Sequence, residues 1–411
     1  MHTIYTCLSY LLHFFLNIFL KFKIFKKKED PLRYQEKLGI YNLKNNESTI
    51  WFHSSSLGEI KSITSLILFY EKKISKKILL TTSTKSSAEY CQKQFHNYKN
   101  IVHQFAPLDS PIVVKKFLNH WKPKVCIFVE SEIWPNLIFE SKKIGKLILL
   151  NARLSENSFS KWKIFKAFAK EIFNQFDLIL TQSYKTKSFI EYFENQRAKH
   201  YGNLKFCESN NKDNMQVPNN FKFQKNTWAA MSTHRSEEKF IIDTIRIMKR
   251  NNFISSCVLV PRHINRVVEI TKLLKKNKMT YELHSQKISS SEKVDFFIID
   301  SYGQAKEIFS KINTVFMGGT IIQHGGQNPI EAAKEGCKIF HGPSIENFDE
   351  IFLFLRENQI SQQIKDQQDL AEVLTKELKN PGDRGTIRKV IEEKGQKILI
   401  DHVNCLNSFI N

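Results

Sequence analysis

The chain has 411 residues, enough for two domains each with its own core, and 62 Lys and Arg against 41 Asp and Glu leave a net charge of +21. That charge favours anionic partners, yet the lysines are spread along the chain and no nucleic-acid module or aromatic RNA-binding motif accompanies them, so an anionic membrane surface or phosphorylated lipid is expected rather than nucleic acid. The seven cysteines (7, 91, 126, 207, 257, 337, 405) are scattered with no CxxC pair, which argues against a disulfide framework or structural zinc and for a reducing compartment.

From Ile4 to Phe25 the chain is rich in Leu, Phe and Ile, and Lys26-Lys27-Lys28 follow without a small-residue cleavage site. The length suits a membrane span, with the lysines holding the rest of the chain on the cytoplasmic side. Ser9, His13 and Asn17 recur every fourth residue on one helical face, which also fits a helix lying in the membrane interface. Residues 1–28 are expected to be an N-terminal membrane-anchor helix, with the span slightly favoured over the in-plane arrangement.

Strands are then predicted at Thr49–His53, Ile78–Thr82, Val125–Val129, Leu147–Asn151 and Leu178–Thr181, each followed by a helical pattern. Periodicity is lost through the polar stretch around SNNKDN, read as an interdomain linker over 208–220. Alternation resumes at Thr227–Met231, Ser256–Val260, Phe296–Ile299, Thr314–Met317 and Lys338–His341. Two βα series imply two α/β domains with parallel sheets, over 29–207 and 221–411.

Polar residues gather where these strands end. In WFHSSSLGEI (Trp51–Ile60) a strand runs into Ser54-Ser55-Ser56, then Gly58 and Glu59 at a helix start. Glu59 there is either a first-turn capping partner or a general base within reach of a substrate hydroxyl. Thr81-Thr82-Ser83-Thr84 is a hydroxyl-rich loop suited to sugar or phosphate, with Thr82 as its candidate contact. Glu130 and Glu132 share one face if the chain is extended, and Arg153 could pair with Glu132 or a substrate phosphate. His234 follows a strand in Ser232-Thr233-His234 and is either a structural hydrogen-bonder or a site residue. Arg262, in Pro261-Arg262-His263, can fork onto phosphate oxygens or make an ion pair between domains. VFMGGTIIQHGGQNPIE (Val315–Glu331) holds two glycine pairs and then Asn328-Pro329 opening a helix with Ile330 and Glu331, a pattern suited to an anion at a helix N-terminus.

These segments together resemble the 3-deoxy-D-manno-octulosonic acid (Kdo) transferases. The resemblance extends through LLTTSTKSSAEY, FAPLDSP, VESEIWPNLI, NARLSENS, GNLKF, AAMSTHRSEE, VLVPRH and FHGPSIENFDEI, in order along nearly the whole chain. It implies the GT-B glycosyltransferase architecture, two Rossmann-like domains facing a cleft, with 29–207 taking the acceptor and 221–411 binding CMP-Kdo. The implied reaction is inverting transfer of Kdo to the lipid A precursor lipid IVA at the bacterial inner membrane, on its cytoplasmic side. Glu59 is the implied catalytic base, with CMP held by Pro261, Arg262, Tyr302, Gly303, Gln304 and Asn328 to Glu331. Ser56, Gly58, Thr82, Glu130, Glu132, Arg153 and His234 are acceptor-side or supporting candidates.

Two departures from the family stand out: Gly303-Gln304-Ala305 where Gly-Glu-Leu is usual, and Gln327 where histidine commonly precedes Asn-Pro. No DxD-type carboxylate pair stands at a strand end, and a CMP donor carries one phosphate, so neither metal nor cofactor is expected. The rival readings are a sugar-nucleotide epimerase on the same fold and a non-enzymatic, membrane-anchored protein binding anionic ligands.

Overall fold

The computed structural model describes residues 1–208, 223–286 and 294–410. The chain divides into two compact units, Met1–Ser209 with Lys394–Asn411, and Asn210–Glu393. Apart from Glu208, the expected linker lies outside the described residues.

The first unit opens with helices α1 (His2–His13) and α2 (Leu16–Phe25). Its sheet comprises β1 (Thr49–His53), β2 (Lys77–Thr82), β3 (Ile101–Phe105), β4 (Pro123–Val129), β5 (Lys146–Ala152), β6 (Leu178–Thr181) and β7 (Ala198–His200). They lie in the order β3-β2-β1-β4-β5-β6-β7, and the recorded pairings are parallel. Crossovers run through α3 (Leu57–Lys73), α4 (Lys85–Phe95), α5 (Pro111–Trp121), α6 (Pro135–Lys142), α7 (Glu156–Ile164), α8 (Lys166–Phe173) and α9 (Tyr184–Glu191). Serine or threonine side chains cap α3, α4, α7 and α9, while proline opens α5 and α6, the residues that satisfy or dispense with the orphan N–H groups of a first turn. All five residues of β1, TIWFH, are buried, as a central parallel strand covered on both faces requires. Trp51, Phe117, Phe128, Phe173 and Phe176 anchor the core.

The second unit contains β8 (Thr227–Thr233), β9 (Ser256–Pro261), β10 (Tyr281–Leu283), β11 (Phe296–Ile298), β12 (Thr314–Met317), β13 (Lys338–His341) and β14 (Ser361–Gln363). Their order is β10-β11-β9-β8-β12-β13-β14, again with parallel pairings. Its helices are α10 (Glu237–Arg250), α11 (Val267–Lys276), α12 (Ala305–Lys311), α13 (Ile330–Lys334), α14 (Asp349–Glu357) and α15 (Gln367–Lys379). Both units are doubly wound α/β sheets, as expected.

The last helix, α16 (Arg384–Ile410), begins in the second unit and ends in the first. Assigning all of 221–411 to one domain therefore needs correction, and the cause is packing. Ile398 lies so close to Gly202 that a Cβ there would come within 2.8 Å of its Cδ1. Cys207 Sγ donates to the Gly395 carbonyl, and Tyr70 Oη donates to Val403 O and Asn407 Oδ1.

The N-terminal segment also departs from expectation. No single helix is long and apolar enough to cross a membrane; α1 and α2 form a pair bent by 61°. The polar side of α1 faces protein. Tyr5 Oη donates to Asp109 Oδ2 at 2.8 Å, Thr6 Oγ1 to Asn136 Oδ1 at 3.0 Å, His13 Nδ1 lies 2.8 Å from Ser110 Oγ, and His2 stacks on Phe139. The opposite side of α1 leaves Ile4, Leu8, Leu11 and Leu12 exposed, and Phe15, Ile18, Phe19 and Phe22 are exposed at and beyond the bend.

Candidate functional site

In each parallel sheet the carboxyl ends of all strands share one edge, and ligands bind where the order reverses direction. The reversal falls between β1 and β4 in the first unit and between β8 and β12 in the second. The candidate residues collect there. Thr82, Ser56 to Glu59, Glu130 with Glu132, and Arg153 end or follow β2, β1, β4 and β5, four neighbouring strands. The 302–304 loop, Pro261-Arg262, His234 and 318–331 follow β11, β9, β8 and β12, again four neighbours.

At the first edge, Ser56 caps α3 by accepting the Glu59 N–H. The Glu59 carboxylate reaches back: Oε2 accepts the Ser55 N–H at 2.6 Å and Oε1 the Ser56 hydroxyl at 2.8 Å. The capping role is thus present in full. It does not exhaust the carboxylate, because each oxygen retains an accepting lone pair and the residue is only half-buried. Burial pushes the Glu59 pKa above the ordinary carboxylate value; Glu132 and Glu130 push the same way, while the Ser56 and Ser55 bonds pull it down. A Cβ on Gly58 would meet nothing within 4 Å, so open space borders this first turn. The hydroxyl of Ser54 is buried with no hydrogen-bond partner among the described residues.

Glu130 and Glu132 do not share an extended face. Glu130 adopts φ +57°, which turns the chain out of the strand direction and separates the two carboxylates. Glu130 pairs with Lys205 Nζ at 3.0 Å. Glu132 takes His53 Nε2 at 3.1 Å and the Trp134 indole N–H at 2.8 Å. Burial raises the Glu132 pKa, but the hydrogen bond and charge of His53, aided by Trp134, outweigh it and leave the group below its ordinary value. His53 is fixed from behind by Thr81 Oγ1 at 2.9 Å, which in turn accepts the Trp51 indole N–H. Sequence reasoning passed over His53; the available signal was a polar residue ending an otherwise apolar strand.

Other hydroxyls of this edge serve the fold. Thr82 Oγ1 lies 2.9 Å from His103 Nε2, and Thr84 forms a capping box with Ser87 at the start of α4. The backbone N–H of Arg153 donates to Glu130 O and its carbonyl accepts the Ser131 hydroxyl, tying the ends of β4 and β5.

At the second edge, Arg262 is anchored by its backbone N–H to Thr233 O at 3.0 Å while its side chain is exposed. The His234 ring lies 4.2 Å from that of His324 and 6.3 Å from that of His263, and its Nε2 is 3.4 Å from Gln327 Nε2. Burial, then His324, His263, Arg262 and Arg266, lower its pKa to about 4. Burial disfavours charge of either sign here, and it is the neighbouring guanidinium groups of Arg262 and Arg266 that favour an anion. Neither His324 nor His263 was singled out from sequence. Among the described residues no group of three or more His, Cys, Asp or Glu side chains could hold a metal ion. Tyr302 is exposed, Gly303 has φ +90°, and Gln304 caps α12 without a side-chain bond.

In the 315–331 segment the strand end, the two glycine pairs and the helix start lie where the sequence places them. Asn328 Oδ1 accepts the Ile330 N–H, Pro329 precedes the helix, Ile330 is buried in the core and Glu331 is exposed. The helix α13 that follows has five residues. The glycines also answer to internal packing. A Cβ at Gly318 would lie 2.6 Å from Ser232 O, and one at Gly325 would collide with the Asn347 amide.

Residues 32–208 match the family described as 3-deoxy-D-manno-octulosonic-acid transferase (kdotransferase). A 3-deoxy-D-manno-octulosonic acid transferase of Rickettsia bellii is 30% identical over 425 residues, covering 100% of both chains. Among solved structures, a glycosyltransferase of Rickettsia africae has a TM-score of 0.58 at 10% identity, covering 89% of this chain and 100% of its own. A UDP-GlcNAc 2-epimerase of Neisseria meningitidis has a TM-score of 0.60 at 12% identity, covering 86% of this chain and 99% of its own. The last two show likeness of fold alone.

Proposed function

This chain belongs to the Kdo transferase family and is a GT-B glycosyltransferase of lipopolysaccharide biosynthesis, and we propose that it moves Kdo from CMP-Kdo to lipid IVA with Glu59 as general base. The first unit takes the acceptor and the second the donor. The attacking acceptor hydroxyl bonds to the Kdo anomeric carbon as the bond to the CMP phosphate breaks, and the configuration inverts. Its proton passes to Glu59, while the departing electron pair stays on CMP, whose phosphate is stabilised by Arg262 at the anion-suited edge.

The observation that carries this reading is the Glu59 carboxylate. It stands at the reversal point of the first sheet, retains free lone pairs, and is raised by burial towards the working range of a base. Incubating the protein with CMP-Kdo and lipid IVA and weighing the lipid is the direct test. The reading requires lipid mass to increase by Kdo units together with CMP release. CMP released with the lipid unchanged would end it.

Membrane attachment follows from α1 and α2. With Tyr5, Thr6 and His13 bonded to the protein and the apolar side chains facing outward, the bent pair lies in the cytoplasmic leaflet, with Lys21 and Lys26 to Lys28 suited to anionic head groups. Cys7 is exposed on α1. An impermeant maleimide should label it only after spheroplasts are lysed, whereas labelling of intact spheroplasts would show that the segment crosses.

A further inference from the structure

The glycine turn after β12 has the form of an anion cradle, with successive backbone N–H groups converging on one point. That point is already taken by the protein's own carboxylate. Glu237 Oε2 accepts the Gly319 N–H at 2.8 Å and the His234 N–H at 2.9 Å. Its Oε1 accepts the Thr320 and Ile321 N–H groups, each at 3.1 Å. The residue is 0% exposed, so these four amides take the place of water around the buried charge. One side chain thereby ties the loop after β8, which carries His234, to the turn after β12.

The next residue performs the matching task on the other side. Glu238 accepts Arg266 Nη1 at 2.8 Å and Nη2 at 3.0 Å in a bidentate pair, and also the Thr233 hydroxyl at 3.0 Å. Arg266 lies in the short turn just beyond Pro261-Arg262-His263. The first turn of α10 thus fixes the loops that follow β8, β9 and β12.

We propose that Glu237 is a positioning residue for the anionic donor: it fills the 319–321 cradle, so that this turn frames the donor phosphate without binding it. Two anions cannot share the same four N–H groups. The phosphate is therefore left to groups beside the turn, the exposed Arg262 and the region of His234, whose placement depends on Glu237 and Glu238. This inference rests on the second unit being the donor domain.

Amide exchange in the full-length wild-type protein, with CMP as probe, tests it without a mutation. The Gly319, Thr320, Ile321 and His234 amides should be protected without ligand and unchanged by saturating CMP. Protection that is absent in the free protein, or appears only with CMP, overturns the proposal. The variants E237Q and E237D add a kinetic test. Glutamine must aim its NH2 at two of the four N–H groups, so the KM for CMP-Kdo should rise about tenfold or more with a much smaller change in kcat. Aspartate keeps the charge at shorter reach and should recover part of the loss. Unchanged KM in a folded E237Q protein refutes the inference but leaves the donor-domain reading intact. A wild-type protein that does not bind CMP refutes that reading instead.

Discussion

Glu59 and Glu237 begin the same way and end differently. Each follows the strand at its sheet's reversal point, and each lies in the first turn of the next helix, α3 or α10. Glu59 has one N–H and one hydroxyl as recorded donors and is half-buried. Glu237 has four N–H donors and no exposure. The number of donors around a carboxylate, rather than its place in the chain, separates a group free to take a proton from one committed to holding loops. The second unit also bends its backbone to achieve this: Ser232 and Ser236 adopt φ +54° and +81°, whereas the loop between β1 and α3 contains no residue in that region.

The largest expected effect tests the contrast directly. In Glu59→Gln the amide can still accept the Ser55 N–H and donate to Ser56 Oγ, so the cap survives while the proton acceptor is lost. Turnover should fall by about 10² or more with CMP affinity retained. Near-normal turnover in the folded variant would leave Glu59 a cap and nothing more.

Arg262→Lys addresses the second edge. A lysine keeps the charge but loses the fork, so calorimetry should find CMP bound about tenfold more weakly. Equal affinity would make the guanidinium structural.

Glu132→Gln is a subtler change. Burial, Glu132 and Glu130 hold the Glu59 pKa up; with one negative neighbour gone it should fall. A base acts deprotonated, so the acid limb of kcat/KM should move to lower pH. A shift to higher pH, or none, would remove Glu132 as an electrostatic neighbour of the base.

Ser236→Gly is expected to have the smallest effect. Ser236 is exposed, makes no capping bond and holds a left-handed conformation that suits glycine. Relief of that strain should stabilise the protein by about 1 kcal/mol, less the greater freedom glycine gains on unfolding, and thermal melting should rise slightly. A lower melting temperature would show that the serine makes a compensating contact.

Which parts of the fold could be read in advance follows a physical line. Ten strands were identified from apolar runs; the four missed, β3, β7, β10 and β14, are the edge strands of the two sheets. Edge strands are covered by a neighbour on one side only; AKH, YEL and SQQ are three residues long, and polar His and Gln interrupt IVHQF, so none carries a continuous apolar signal. The C-terminal residues from Lys394 were misassigned for a related reason, since α16 reads as one helix whichever unit its end packs against.

Elements whose cause is local are legible in the residues alone: buried central strands, capped helix starts, the family-like motifs and the polar residues at strand ends. The sequence placed Glu59, Arg262, His234 and Asn328 at the edges where they are found. What those residues face is set by long-range packing. It split Glu130 from Glu132 with a positive φ, gave His53 to Glu132, bent the N-terminal apolar run and docked its polar side on Asp109 and Asn136, and filled the glycine cradle with Glu237 from 82 residues away. Those outcomes depend on which strands become neighbours, and no local pattern of side chains encodes the partner of a carboxylate brought from another strand end.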